Sequence, residues 1–185
     1  MKRMSIVVAC MLLAGGAGVA EAQTGTYFGH VTGQVGVTAG SDLPSPAITP
    51  SVTVSVQDNS GWGAELDFGY AHSPGGVAPD VDLGTFMVNV NWMAPRGLVR
   101  PYGVAGVGVV QVHGCLTACA AIATTYDFGL NVGGGAMYPM NDAVSVRGDL
   151  RYFRASGGEA ATTRPGAYGF WRASVGVTFT WAIVP

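Results

Sequence analysis

From residue 30 to residue 181 the chain is written in alternation: large or apolar side chains take turns with small or polar ones in eight separate runs. That is the period of a strand with one oily face. In the last run Trp171, Ala173, Val175, Val177, Phe179 and Trp181 share one face, and Arg172, Ser174, Gly176, Thr178 and Thr180 share the other. The first run sets Val31, Gly33, Val35 and Val37 against His30, Thr32, Gln34 and Gly36, and the second sets Val52, Val54 and Val56 against Thr53, Ser55 and Gln57. The third is the cleanest, with Trp62, Ala64, Leu66, Phe68 and Tyr70 opposite Gly63, Glu65, Asp67 and Gly69. A fourth places Phe86, Val88, Val90 and Trp92 against Thr85, Met87, Asn89 and Asn91. The fifth, Tyr102 to Val112, is apolar or glycine on both faces; it reads with Tyr102 outward and Gly103, Ala105, Val107, Val109 and Gln111 inward. Phe128, Leu130, Val132 and Ala136 mark one face of the sixth, Tyr126 to Tyr138, and Val144, Val146, Leu150 and Tyr152 mark the seventh opposite Ser145, Arg147, Asp149 and Arg151.

The connections alternate in length. Ala39 to Pro50, Ala71 to Asp82, His113 to Thr125 and Arg154 to Ala167 are long, while Asp58 to Gly61, Ala94 to Gly97 and Pro139 to Asp142 are tight turns. Consecutive strands joined this way run up and down. Eight tilted antiparallel strands with one apolar face close into a barrel, which leaves no unpaired backbone edge in lipid. The pattern therefore predicts an all-β fold, an eight-stranded antiparallel up-and-down transmembrane β-barrel, with short turns toward the periplasm and four long loops outside.

Charge and aromatic placement sharpen this. No ionisable acid or base within the eight runs falls on the outward face, whereas Glu65, Asp67, Asp127, Arg147, Asp149, Arg151 and Arg172 all fall inward. A charge facing mid-bilayer lipid costs about 2–4 kcal/mol in such barrels, which explains the segregation. Trp62, Trp92, Tyr102, Tyr138 and Trp181 come out at the turn ends of outward faces, and Tyr70, Tyr126, Tyr152 and Trp171 at the loop ends, as two aromatic girdles. At about 3.3 Å per residue and a tilt of about 40°, the run from Trp62 to Tyr70 spans about 20 Å, near the apolar band of about 25 Å.

Composition fits an exported strand protein. The chain holds 29 glycines and only 11% charged residues, with a mean hydropathy of +0.34, where a soluble domain carries about 25% charge. Residues 1–22 read as a secretory signal: Lys2 and Arg3, an apolar run from Ile6 to Ala14, and a cleavage site after Ala20-Glu21-Ala22. The mature remainder has seven arginines, no lysine and ten acids, a formal charge of −3. Scattered arginines on an acidic chain exclude a nucleic-acid surface. No apolar stretch is long enough for a spanning helix.

In these patterns the chain resembles the small outer-membrane β-barrel family that includes the OmpA transmembrane domain and OmpX. The resemblance is carried by Arg100-Pro101-Tyr102-Gly103-Val104-Ala105-Gly106-Val107-Gly108, by the hairpin from Phe128 to Tyr152 and by the final strand, and it covers residues 27–181. Ser174-Val175-Gly176-Val177-Thr178-Phe179-Thr180-Trp181 is similar to the signal read by the barrel assembly machinery, with Ser174, Gly176, Phe179 and Trp181 at its marked positions. It departs in that Ala182-Ile183-Val184-Pro185 follow the aromatic residue. The resemblance implies a monomer in the bacterial outer membrane, bounded by lipid and lipopolysaccharide, with a structural or surface-contact role through its loops.

Candidate chemistry is sparse. The inward ions read first as a paired lumen filling, and alternatively as a narrow ion path. Cys115 and Cys119, in the third long loop of an exported chain, are expected to form a disulfide; with His113 they offer too few ligands for a metal site. Some barrels of this size modify lipid A with a His/Ser/acid site at the external rim, and His72, Ser73 and His113 stand there, but loop residues of these types are usually only solvated. His30 points inward near the turn end. Gly133-Gly134-Gly135 lies inside a strand and is no phosphate loop, so no cofactor is implied. The surface ligand stays open.

Overall fold

The computed structural model describes residues 26–40, 46–72, 81–114, 123–156 and 167–183. Its elements are β1 (Tyr27–Ala39), β2 (Ala47–Gln57), β3 (Trp62–Ala71), β4 (Val81–Met93), β5 (Arg100–Gly114), β6 (Ala123–Pro139), β7 (Val144–Ser156) and β8 (Tyr168–Ile183). Each strand pairs with the next and β8 pairs with β1, so the sheet is a closed, eight-stranded antiparallel barrel. Closure satisfies every strand edge, which is what spanning a bilayer with strands demands.

The alternation becomes two surfaces. Along β2, buried and exposed residues alternate without a break from Ala47 to Gln57. Thr49, Ser51, Thr53, Ser55 and Gln57 line the lumen, while Ile48, Val52, Val54 and Val56 are exposed on the outer wall. An apolar furrow of about 1230 Å³ crosses this wall from β8 over β1, β2, β3, β4 and β5 to β6.

Several strands run further toward the loop end than the sequence pattern suggests. β2 begins at Ala47, not at Val52, and contains Pro50. The β2–β3 ladder stops at Ser51↔Gly69 and resumes only as the isolated bridge Ile48↔His72, where the His72 N–H donates to the Ile48 carbonyl at 3.1 Å. Ile48 and Pro50 present their backbone groups to the same side, so the absent proline N–H falls on the missing rung between those two pairings. The longer strands also carry two outward ions, Asp82 on β4 and Arg154 on β7. Both lie beyond the outward aromatics Tyr70 and Tyr152, toward the loop end.

The face assignment of β5 is the reverse of the sequence expectation. Tyr102, Val104, Val110 and Val112 are buried in the lumen, and Val107 and Val109 are exposed outside. Tyr102 is thus no member of an outward aromatic row. Two apolar faces leave hydrophobic alternation nothing to decide, and the phenol settles the register by its inward partners.

The turns are built locally. In the β2–β3 hairpin the Asp58 carboxylate accepts from the Ser60 hydroxyl at 2.7 Å, the Ser60 N–H at 2.8 Å and the Trp62 N–H at 3.0 Å. These bonds, that of the Ser60 hydroxyl foremost, hold its carboxyl below the usual range. Gly61 closes the hairpin at φ 91, where any side chain would strike the Met93 carbonyl 2.0 Å away.

Candidate functional site

The lumen is built around six ions. Arg147, Asp149 and Arg151 alternate inward along β7, Glu65 and Asp67 along β3, and Arg172 comes from β8. Arg147 Nη2 donates to Glu65 Oε2 at 2.9 Å and to Asp149 Oδ2 at 3.3 Å. Arg151 reaches Glu65 Oε1 at 2.8 Å and Asp149 Oδ1 at 2.7 Å. Arg172 Nη2 lies 2.7 Å from both oxygens of Asp67. Three guanidiniums thus meet three carboxylates, and the cluster is neutral.

Neutral groups finish the arrangement. Thr53 and Asn89 bond Arg147 and Glu65 at 3.4 and 3.3 Å. The Tyr102 hydroxyl accepts from Arg147 Nε at 2.8 Å and donates to Asp149, while the Arg147 guanidinium sits 4.3 Å from the Tyr102 ring centroid. Tyr102 is an amphipathic residue, and its fit here is the functional contact that alternation alone misplaces. Asp127, also buried and inward, stands apart from the six and accepts from the Tyr168 hydroxyl at 3.0 Å.

Apolar layers enclose this cluster. Toward the loops, Leu83, Met87, Val110, Val112, Phe153 and Phe170 pack with three alanines, and the rings of Phe153 and Phe170 stack with centroids 5.0 Å apart. Toward the turns, Met93, Val104 and Met137 pack with Tyr102. Phe153 keeps phase with Arg151 and Phe170 with Arg172, so the loop-side layer is readable once β7 and β8 are extended to their real ends. Small residues make the fit possible: a Cβ on Gly69 would lie 2.3 Å from Arg172 Nη1.

The outward aromatics separate into two groups by position. Trp62, Trp92, Tyr138 and Trp181 are exposed at the turn end, and Tyr70, Tyr126 and Trp171 at the loop end. Trp62 and Trp92 are register partners, and Tyr152 packs on Trp171 with ring centroids 5.0 Å apart. On β8, Gly176 and Ser174 turn inward while Phe179 and Trp181 are exposed, and the Trp181 indole lies across Gly29.

At the loop-end rim, His72 Nδ1 and Asp82 Oδ1 are 2.7 Å apart, and Asp82 is the register partner of His113. The His113 ring bonds Thr124 at 2.7 Å instead. No group of three ligating side chains placed to hold a metal occurs among the described residues. Ser73, Cys115 and Cys119 lie outside the described residues, as does the expected signal segment. His30 is buried inside the turn end with Nδ1 2.9 Å from the Thr180 hydroxyl.

Comparison with known proteins agrees with this geometry. The model of the outer membrane protein beta-barrel domain family matches residues 5–180. Among solved structures, the chain is similar to neisserial surface protein A, with 15% identity, a TM-score of 0.65, and coverage of 83% of this chain and 96% of that one. It is similar to Ail, the attachment invasion locus protein of Yersinia pestis, with 12% identity, a TM-score of 0.56, and coverage of 86% and 100%. The outer membrane enzyme PagL aligns at 19% identity and a TM-score of 0.51 over 80% and 97%. At these identities the likeness is one of fold. No curated protein matches the sequence.

Proposed function

The chain belongs to the outer membrane protein beta-barrel domain family, and from that premise we propose that it is a structural and surface-contact protein of the bacterial outer membrane. In this reading the short turns face the periplasm and the four loops face outside. The two rows of outward aromatics sit at the lipid interfaces, where amphipathic rings are most stable. Ser174, Gly176, Phe179 and Trp181 serve as the address for barrel assembly. The barrel acts as a monomer among outer-membrane lipid and lipopolysaccharide.

One observation carries the reading: the interior is spent on its own stability. Among the described residues, a neutral ion cluster between two apolar layers offers neither a continuous polar path nor an open reactive group. What remains for function is the surface presented at the ends. Ail, whose name refers to attachment, shares this architecture at the level of the fold, and the fold by itself prescribes no activity.

The test is to replace residues 41–45 and 157–166 with short Gly-Ser linkers. Binding of the bacterium to host cells or to extracellular matrix should fall while the protein still migrates as a folded barrel, unboiled, on a denaturing gel. Unchanged contact after both replacements would overturn the proposal.

A further inference from the structure

Four arginines face the lumen among the described residues, and three of them, Arg147, Arg151 and Arg172, end on carboxylates. The fourth does not. Arg100 opens β5 in phase with Tyr102 and opposite Met137, and its buried Nε meets no acceptor. His30, only 4% exposed, lies within electrostatic range of it. With Nδ1 of His30 engaged by Thr180, its Nε2 is likewise buried, with the Gln57 side chain as its polar neighbour.

Both residues line one cavity of about 740 Å³ at the turn end of the barrel, together with Arg96, Asp58 and Asp142. A volume of that order suits a small molecule, since ligand pockets run from about 300 to about 1,000 Å³. Buried donors left without acceptors are costly and call for an acceptor. Asp58 does not serve, because its carboxylate is turned into its own hairpin. A guanidinium offers several N–H groups in a fork that fits a carboxylate or phosphate.

We propose that this mouth is a binding site for a soluble periplasmic anion carrying a carboxylate or phosphate group, held by the Arg100 guanidinium with the His30 ring lining the same cavity. Arg96 adds positive charge from the rim. Asp58 and Asp142 on the same rim disfavour polyanions, so the site takes a ligand with one anionic end. The mouth opens away from the loops, and its failure would leave the surface-contact reading intact.

The test uses the ¹⁵N-labelled protein, purified from outer-membrane fractions into alkyl maltoside micelles that bring no phosphate. Sodium phosphate or sodium acetate is titrated at an ionic strength held constant with sodium chloride. The Arg100 Nε–H signal and the His30 ring nitrogens should shift saturably with both anions. In Arg100→Gln, checked as folded by its unboiled gel mobility, the His30 response should weaken at least tenfold. A shift no larger than chloride gives, or a His30 response unchanged in Arg100→Gln, would overturn the proposal. So would a response that appears only when anionic phospholipid is added to the micelles, since that would make the ligand a lipid headgroup.

Discussion

Arg151 and Arg172 face each other as register partners on the lumen side of β7 and β8, two like charges directly opposite in one sheet. Such a pair is destabilising on its own. Asp67 resolves it from across the lumen: Arg172 Nη2 lies 2.7 Å from its Oδ1, and Arg151 Nη1 lies 3.5 Å from its Oδ2. The strand that closes the barrel is thereby tied to β3 through the interior.

Asp67→Asn should therefore cost about 3–5 kcal/mol, because it leaves two buried guanidiniums facing each other without the carboxylate they share. The double variant Asp67→Asn with Arg172→Gln should recover part of that loss. Urea unfolding in lipid vesicles, followed by tryptophan fluorescence, measures both. A single-variant cost below about 1 kcal/mol would show that the carboxylate does not hold the pair apart.

In planar bilayers the wild-type protein should show no resolvable conductance. The six ions are mutually neutralised, and Phe153 stacked on Phe170 closes the lumen on the loop side. An eight-stranded barrel is just wide enough for side chains to fill. Steady channels from the wild type, altered by Arg147→Ala, would reinstate the ion path that the charge pattern leaves open as an alternative.

Much of this fold is legible in the sequence because lipid outside and ions inside act on alternate residues. The third and seventh runs show it best, since Glu65, Asp67, Arg147, Asp149 and Arg151 each sit between outward apolar neighbours. The fifth run withholds its register because Val, Ala and Gly satisfy either face, and only the partners of Tyr102 decide. Strand ends are equally hidden. Prolines and serines around residue 47 read as a loop, yet Pro50 is accommodated where the ladder lacks a rung. Phe153 and Phe170 then escape notice as lumen residues, because large apolar groups on a charged face run against the alternation that identifies the strands.

His72→Ala should leave the lipid A mass spectrum of an overexpressing strain unchanged. The His72–Asp82 contact at 2.7 Å gives an orienting pair, but His113 turns to Thr124 and does not join it. A lipid A species that appears with the wild type and vanishes with His72→Ala would mean that the rim is catalytic.

Phe179→Ala and Trp181→Ala should lower the amount of folded protein in the outer membrane more than any loop replacement. Each removes an exposed aromatic from the outer face of β8, and Trp181 also covers Gly29 on β1 at the seam where the barrel closes. Pulse-labelled membrane fractions, compared boiled and unboiled, read the effect. Normal folded levels of both variants would remove these residues from the assembly signal.

Tyr102 offers the sharpest check on the reversed register of β5. Its hydroxyl relays Arg147 Nε, 2.8 Å away, to Asp149. Tyr102→Phe keeps the ring beneath the guanidinium but removes that relay, so it should cost about 1–2 kcal/mol in vesicle unfolding. Tyr102→Leu also gives up the ring contact and should cost about 1–2 kcal/mol more. At Tyr138, exposed on the outer wall, the same Tyr→Phe exchange should change stability by less than about 0.5 kcal/mol. Equal and small effects at the two positions would place Tyr102 outside, with the fifth strand facing the way its apolar pattern first suggests. A clear difference fixes the phenol within the ion cluster.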